Sequence, residues 1–222
     1  NTTLSKVGGS YKMGTLNSGT YSIVFSHPLY HSDTINQVVL QNDSTTVLDI
    51  GLLSLSPLNL NIETKLSSQN NPLSNVSFII SNDNFSYSGI TNQNGQFTVN
   101  NLIPGSYNIY AGIWGFQDFC LENFTIVDDT SPFVMSFEEG YQDPFNIDLG
   151  WAINSSAASG NWVRDKPVLT SFNNIACNPG SDSYDCGEMA FITGNSGGSF
   201  TSDDVDLGYV KLTSPTISLN VN

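Results

Sequence analysis

The chain has 222 residues, 39% of them apolar and 11% aromatic, which is enough for one large domain or two to three small domains with hydrophobic cores. The net charge is −14 with only six Lys and Arg residues, which excludes nucleic-acid binding, and no apolar run reaches the roughly 18 residues of a membrane span. Polar positions are filled mainly by Asn, Ser, Thr and Gly, a composition typical of extracellular β-proteins, so we expect secretion or surface display.

An internal repeat organises the first two thirds of the chain. GTYSIVFSHPLY at residues 19–30 returns as GSYNIYAGIWGF at residues 105–116, an offset of 86 positions. The same offset aligns residues 9–43 with residues 95–129 without a gap. Two copies of one domain type explain this pattern most simply.

Strict alternation of apolar and polar residues predicts half-buried strands in the second copy. Asn94-Gly95 predicts a hairpin turn, and Pro104-Gly105 suits a type II turn. Short strands separated by such turns every 8 to 12 residues or so predict an antiparallel β-sandwich. The alternation is clearest at residues 58–62, 76–80, 107–109 and 119–121.

One motif runs through both copies: N-x-x-G-x-F/Y, then L-x-x-G-x-Y-x-I, then an aromatic residue near Gly-Phe. It reads TNQNGQFTVNNLIPGSYNIYAGIWGF in the second copy and GGSYKMGTLNSGTYSIVFSHPLY in the first. The motif resembles the transthyretin-like (prealbumin-like), carboxypeptidase regulatory-like domains of secreted bacterial proteins. The resemblance implies a complete transthyretin-like β-sandwich at residues 55–131 and the C-terminal part of another at residues 1–54. It says little about function, because one fold hosts many functions.

The first copy is incomplete. Residue 1 aligns with residue 87, so the first copy has no counterpart of residues 57–86, which include two regularly alternating strands. A sandwich without those strands would leave an apolar face and an open edge in water. We therefore expect a longer polypeptide that supplies the missing strands upstream, with a neighbouring chain as the alternative source.

The last third of the chain follows a different pattern and is acidic: residues 128–222 hold thirteen of the twenty Asp and Glu residues. The ordered blocks FEEG, SGNWVRDKP, ITGN and DDVDLGYVKLTSP resemble a jelly-roll accessory domain of secreted Bacteroidetes zinc carboxypeptidases and related modular peptidases, and more distantly gingipain cleaved-adhesin domains. The resemblance implies the N-terminal part of a jelly-roll β-sandwich at residues 132–222, cut before its last strands. Strands are predicted at residues 132–137, 161–164, 188–193 and 209–218.

Three cysteines remain to be placed. Cys177 and Cys186 bracket the loop CNPGSDSYDC, whose turn-forming residues predict that the two ends meet in a disulfide. Two free thiols are the alternative. Cys120 stands alone in an apolar strand and is expected to be a buried packing thiol.

Acidic residues in the last third indicate a cation site. Asp203, Asp204 and Asp206 lie in a Gly/Ser-rich loop, and Glu138 and Glu139 end an early strand. Clustered carboxylates on loops are the ligands that Ca²⁺ prefers. The jelly-roll resemblance implies a structural Ca²⁺ held by Glu138, Asp204 and Asp206, with Asp203 and Glu139 in reserve. A solvated acidic surface is the alternative.

No catalytic constellation is found. The two histidines in SHPLYH would share a face only on a helix, which Pro28 disfavours, and there is no G-x-S-x-G motif and no Gly-rich phosphate loop. Trp114 aligns with Pro28 near an exposed loop and is a candidate for stacking on a glycan, with core packing as the alternative. The triplets at Thr34 and Ser44 (Asp-Thr-Ile and Asp-Ser-Thr) resemble a Bacteroidetes O-glycosylation pattern.

These observations predict an all-β, non-catalytic accessory or spacer segment of a larger secreted or surface-anchored bacterial protein. A modular metallopeptidase with a Ca²⁺-stabilised jelly roll is the leading parent. The alternative is a cell-surface adhesin or glycan-binding stalk, whose partners would be glycans or cell-surface proteins.

Overall fold

The computed structural model describes residues 1–129, 132–197 and 200–218, and divides the chain into two compact units at residues 1–56 and 57–222. None of the helices in these residues has the length and hydropathy that a membrane span requires.

The all-β class is confirmed. The elements in chain order are β1 (Gly19–His27), β2 (Tyr30–Leu40), β3 (Leu58–Leu66), β4 (Ser77–Ser81), β5 (Ser86–Ile90), β6 (Gln96–Leu102), β7 (Gly105–Gly112), β8 (Phe119–Ile126), β9 (Phe133–Phe137), β10 (Ala152–Ser155), β11 (Trp162–Asp165), β12 (Thr170–Phe172), β13 (Ile175–Asn178), β14 (Ala190–Thr193), α1 (Phe200–Asp203) and β15 (Val210–Thr213).

The second unit contains a two-layer sandwich. One layer is the antiparallel sheet β5-β4-β7-β8, and the other is β6-β3-β9. The alternating residues predicted from the sequence form one buried cluster, because every second side chain of a strand faces the same side of its sheet. The most completely buried side chains of this core are Ile62, Val76, Phe78, Ile80, Leu102, Tyr107, Ile109, Met135 and Phe137.

Strand β9 belongs to this sandwich, whereas the sequence analysis assigns it to the start of the jelly roll. It pairs in parallel with β3, in a register that places Phe133 opposite Ile62. Met135 and Phe137 are 0% and 1% exposed and lie in the sandwich core. The boundary expected at residues 131 and 132 falls partly outside the described residues, and the sheet continues on both sides of it.

The repeat is present in the backbone as well as in the sequence. The hydroxyl of Tyr107 donates a hydrogen bond to the carbonyl of Ile103, four residues upstream, at 2.6 Å. Tyr21, its counterpart, donates in the same way to the carbonyl of Asn17 at 2.8 Å. Both β1 and β7 also carry a register shift directly after this tyrosine. The two copies therefore share one local architecture.

The first unit is a hairpin of β1 and β2 without the opposing layers of the second copy. Residues 53 and 55 bond to the turn end of the hairpin, through His31 N–H to Leu53 O at 2.8 Å and Leu55 N–H to Leu29 O at 2.9 Å. Within residues 1–56, Val38 is the one fully buried apolar side chain, at 7% exposure. The first unit therefore lacks the core that the second unit has.

The last third forms three two-stranded antiparallel ladders, β10 with β15, β11 with β14, and β12 with β13. The strands predicted near residues 161–164 and 188–193 are present as β11 and β14, and the one predicted at 209–218 is shorter, as β15. Strands β10, β12 and β13 were not foreseen, because each has only three or four residues and little alternation. A jelly roll remains a prediction for this region.

Replacing Phe137 with Ala should lower the free energy of unfolding by about 3–5 kcal/mol, because it leaves a cavity in the sandwich core. Urea unfolding followed by circular dichroism measures the loss. Val134→Ala is the matched control: Val134 lies on the same strand but is 37% exposed, so its replacement should cost less than about 1 kcal/mol. Equal effects of the two variants would contradict the assignment of β9 to the core.

Candidate functional site

The disulfide joins different cysteines from those predicted. Cys120 on β8 is bonded to Cys186, with 6.4 Å between their Cα atoms, and Cys177 is free and exposed. The predicted Cys177–Cys186 bridge and the expected packing thiol at position 120 are therefore both wrong. Local loop length suggested the first pairing, but the fold brings β8 next to the loop that contains Cys186. The adjacent backbone N–H of Gly187 also donates to the carboxylate of Glu122 on β8, at 3.2 Å.

The predicted calcium ligands do not converge. Within residues 1–129, 132–197 and 200–218, no three Asp, Glu, His or Cys side chains form a group that could hold a metal ion. Glu138 and Glu139 are exposed, follow β9 and lie beside the loop before β8, where the carbonyl of Glu138 accepts the N–H of Gln117 at 2.9 Å. The ligand set therefore does not fit a preformed site, and calcium binding stays a prediction.

The DDVD loop is organised by hydrogen bonds instead. Asp203 is 3% exposed, and its carboxylate accepts the N–H of Ser196 at 3.0 Å. Asp204 and Asp206 are exposed and face Ser159, whose hydroxyl donates to Asp204 O at 3.1 Å and lies 3.5 Å from the Asp206 carboxylate. Asp203 therefore has a structural role: its buried carboxylate connects the DDVD loop to the backbone at Ser196.

Trp114, the glycan-stacking candidate, lies in an aromatic cluster between the sandwich and the last third of the chain. Its ring centroid is 5.2 Å from that of Tyr141 and 6.0 Å from that of Trp151. Its indole N–H donates to the carbonyl of Thr216 at 2.8 Å, and the hydroxyl of Tyr141 accepts the N–H of Ser218 at 2.8 Å. The cluster therefore holds the 216–218 segment. Such contacts are what the packing interpretation of Trp114 predicts.

Asp118, beside this cluster, was missed by the sequence analysis. Both of its carboxylate oxygens are shielded from solvent and have no hydrogen-bond partner among the residues that the structure describes. Burial, and secondarily the negative charge of Asp143, raises the pKa of Asp118 to about 8. The oxygens of Asp143, by contrast, accept the N–H groups of Trp151 and Phe145, each at 2.8 Å. No local pattern marks Asp118, because its burial and its nearness to Asp143 arise only from the tertiary fold.

The described surface of the sandwich carries an open polar groove of about 310 Å³ at the ends of β4 and β7. Asn82 shapes it: its side-chain oxygen accepts the N–H groups of Asn84 and Phe85, and its amide donates to the carbonyl of Ser106. The lining residues are Ser81, Asn82, Asp83, Asn84, Ser106, Tyr107, Asn108 and Asn123. The groove offers hydrogen bonds but no apolar platform.

The predicted O-glycosylation sites lie at the surface. Thr34 is exposed on β2, and its N–H bonds to the carboxylate of Asp33 at 2.7 Å. Ser44 is exposed after a turn in which Asp43 has a φ of 56°. Both are accessible, and their modification stays a prediction.

The sheet order, the buried cluster and the repeated tyrosine hydrogen bond together define the fold of the second unit. Residues 59–110 match SpaA, a prealbumin-like fold domain. The matched range runs from β3 into β7, so the prealbumin-like fold expected from the motif is confirmed.

Two solved structures are also similar to the chain. A streptococcal ancillary pilin is 14% identical, with a TM-score of 0.37, and the alignment covers 50% of this chain and 37% of the pilin. The TIE protein of Bacillus anthracis is 16% identical, with a TM-score of 0.32, and the alignment covers 72% of this chain and 27% of that protein. No curated protein matches the chain. The match to the prealbumin-like family is not specific to carboxypeptidases.

Peptide mapping without reduction should recover Cys120 linked to Cys186 and Cys177 alkylated. Cys120→Ser should lower the free energy of unfolding by about 4 kcal/mol, because the bond closes a loop spanning 66 residues. Cys177→Ser is the control and should leave the stability unchanged. Recovery of a peptide that links Cys177 to Cys186 would contradict the pairing.

Asp118 makes the stability of the prealbumin-like domain depend on pH. Its pKa rises from 3.8 to about 8 on folding, so the folded state takes up a proton between these values. The contribution of Asp118 to the free energy of unfolding is fully present below pH 3.8. It should fall as pH rises towards 8, by at most about 1.4 kcal/mol per pH unit. Asp118→Asn should flatten this slope and raise the melting temperature at neutral pH. Asp83→Asn, at an exposed loop, is the control; equal slopes in the parent and Asp118→Asn would contradict the assignment.

Proposed function

We propose that this chain is a non-catalytic, all-β segment that spaces, stabilises or anchors other domains of a larger secreted or surface protein. The main support for this proposal is that the second unit has an apolar interior and open polar grooves at its described surface. Its interior is filled mainly by apolar residues, with Val76, Ile80 and Ile109 at 0% exposure. Two depressions on the described surface, at the ends of β4 and β7 and beside β3 and β6, are open polar grooves rather than enclosed pockets. Substrate sites are usually concave and mostly apolar, with a few converging polar groups.

The cysteine chemistry and the surface support an extracellular location. A disulfide between Cys120 and Cys186 persists in an oxidising compartment and is rare where thiols are kept reduced. The low charge content and the abundance of amide and hydroxyl side chains fit the same location. The disulfide also connects the sandwich to the last third of the chain, which suits a segment that transmits mechanical load.

The proposed parent is a modular metallopeptidase. This step rests on the resemblance of the FEEG, SGNWVRDKP and DDVDLGYVKLTSP blocks to a jelly-roll accessory domain. The reading frame that contains this segment is the decisive observation. It should encode a secretion signal and a peptidase domain in the same polypeptide as residues 1–222. A frame for a cytoplasmic protein would overturn the proposal, and a surface anchor without a peptidase would leave the spacer role and remove the peptidase.

Glycan binding by an adhesin is the second candidate function. The polar groove at the ends of β4 and β7 favours it, at a different position from Trp114. Asp83 and Asn84 are exposed at its rim, and hydrogen-bonding side chains of this kind suit sugar hydroxyls. A glycan array with the whole chain tests the idea, using Asn84→Ala for the groove and Trp114→Ala for the aromatic cluster. Binding lost only with Asn84→Ala would support the groove. If no glycan on the array binds, glycan binding is ruled out as the function.

Calcium binding has a direct measurement. If Glu138, Asp204 and Asp206 bind Ca²⁺, millimolar Ca²⁺ should raise the melting temperature and EDTA should reverse the rise, because a ligand that binds only the folded state stabilises it. Glu138→Gln and Asp206→Asn should remove the shift, and Asp83→Asn should leave it intact. A melting temperature that does not respond to Ca²⁺ or EDTA would contradict the prediction.

A further inference from the structure

Two carboxylates lie side by side where the sandwich meets the last third of the chain. Gln117 pairs in parallel with Gln142, so the residues that follow them, Asp118 and Asp143, occupy neighbouring positions on the two segments. Neither carboxylate forms an ion pair with Lys, Arg or His in the part of the chain that the structure describes. Two like charges at such positions repel each other, which disfavours the ionisation of one member of the pair.

The two members of the pair have different environments. The oxygens of Asp143 accept the N–H groups of Phe145 and Trp151, each at 2.8 Å, and such bonds favour the ionised form. The oxygens of Asp118 are shielded from solvent and have no donor among the described residues. They lie against the backbone of Gly112 at the end of β7, where an added Cβ would be 2.6 Å from Oδ1. The negative charge therefore belongs to Asp143, and Asp118 is the member that holds the proton.

The charged groups around Asp118 support the same assignment. Burial, and secondarily the charge of Asp143, raises the pKa of Asp118 to about 8. Glu138 and Glu139, on the segment that contains Asp143, and Glu122, on β8, are also acidic and are exposed to solvent. Loss of the Asp118 proton therefore adds a buried negative charge next to an existing one, and burial of an uncompensated charge is costly.

The two segments can separate while the sandwich core stays folded. The N–H of Gln117 donates to the carbonyl of Glu138 at 2.9 Å, and the N–H of Gly140 donates to the carbonyl of Gly115 at 3.0 Å. These bonds lie beyond the end of β9, whose last residue, Phe137, is 1% exposed in the core. Breaking them would let Asp118 reach water without moving β9.

Asp143 connects the pair to the aromatic cluster. The indole of Trp151, which donates to Asp143, has its ring centroid 6.0 Å from that of Trp114 and 5.6 Å from that of Phe145. Trp114 in turn donates to the carbonyl of Thr216 at 2.8 Å. A displacement of Asp143 would therefore reach the contacts between the sandwich and the last third of the chain.

We propose that Asp118 and Asp143 form a pH-sensitive latch between the sandwich and the last third of the chain. While Asp118 holds its proton, residues 115–118 and 138–143 stay paired. When the proton is lost to solvent, the two segments separate locally, and Trp151 moves away from Trp114. The disulfide at Cys120 keeps the two parts tethered in the open state. This inference does not depend on the spacer role proposed above.

Amide hydrogen exchange of the whole chain, followed residue by residue by NMR between about pH 5 and 9, tests the latch. The closed state binds a proton that the open state releases, so opening should become up to about tenfold more favourable per pH unit and level off above pH 8. The protection factors of the Gln117 and Gly140 amides should fall accordingly. At every pH these amides should be at least about tenfold less protected than the core amides of β4 and β7, because local opening precedes global unfolding.

Three variants make the test specific. Asp118→Asn removes the titrating group and should make the protection of Gln117 and Gly140 independent of pH. Asp143→Asn removes the repulsion, so the fall in protection should level off at a lower pH. Asp148→Asn, at an exposed position of the same region, is the matched control and should behave like the parent chain.

Three results would overturn the proposal. The first is equal protection of the latch amides and the core amides at every pH, because opening would then be global unfolding. The second is an unchanged pH dependence in Asp118→Asn. The third is a fall in protection that levels off at the same pH in the parent and in Asp143→Asn, because the two carboxylates would then not be coupled.

Discussion

The structure depends on one packing constraint, which is that each apolar sheet face must be covered by another layer. In the second unit the sheet β5-β4-β7-β8 is covered by β6-β3-β9, and the side chains of the two layers fill the space between them. The covering layer comes from three places in the sequence: β3 precedes the shared repeat motif, β6 lies within it, and β9 follows it. Where β3 and β4 have no counterpart, as in the first unit, the same motif makes a hairpin with a single fully buried apolar residue.

The repeated motif carries its own local information. A tyrosine that bonds to the carbonyl four residues upstream, followed by a register shift, occurs at Tyr21 and at Tyr107. The glycine two positions before each tyrosine lies under the tyrosine ring, with ring atoms 3.5 Å and 3.6 Å from the position of a Cβ. These contacts lie within one strand and the turn before it. They therefore form in both copies although the layers around them differ.

Contacts of several chemical kinds join the sandwich to the last third of the chain. Strand β9 continues the sheet through Met135 and Phe137, the disulfide connects β8 to the loop at Cys186, and Trp114 holds the 216–218 segment. Asp118 lies near the aromatic contact, and burial raises its pKa to about 8. A covalent bond, a sheet ladder and an aromatic cluster therefore all connect the sandwich to the last third of the chain.

The all-β class, the repeat and eight of the fourteen buried residues of the described sandwich core could be predicted from the sequence, because alternation with a period of two is a local signal. The predicted turn types were wrong: Asn94-Gly95 joins strands of different sheets, and Gly105 does not have the positive φ of a type II turn. The alignment of the two copies also showed that residues 57–86 have no counterpart within residues 1–56. The tertiary structure decided the rest. Cys120 is 66 residues from Cys186 in the chain, so only the placement of β8 reveals their bond. The burial of Asp118 and the pairing of β9 with β3 likewise arise between segments distant in the chain, because neither pattern nor spacing encodes which non-local surfaces meet.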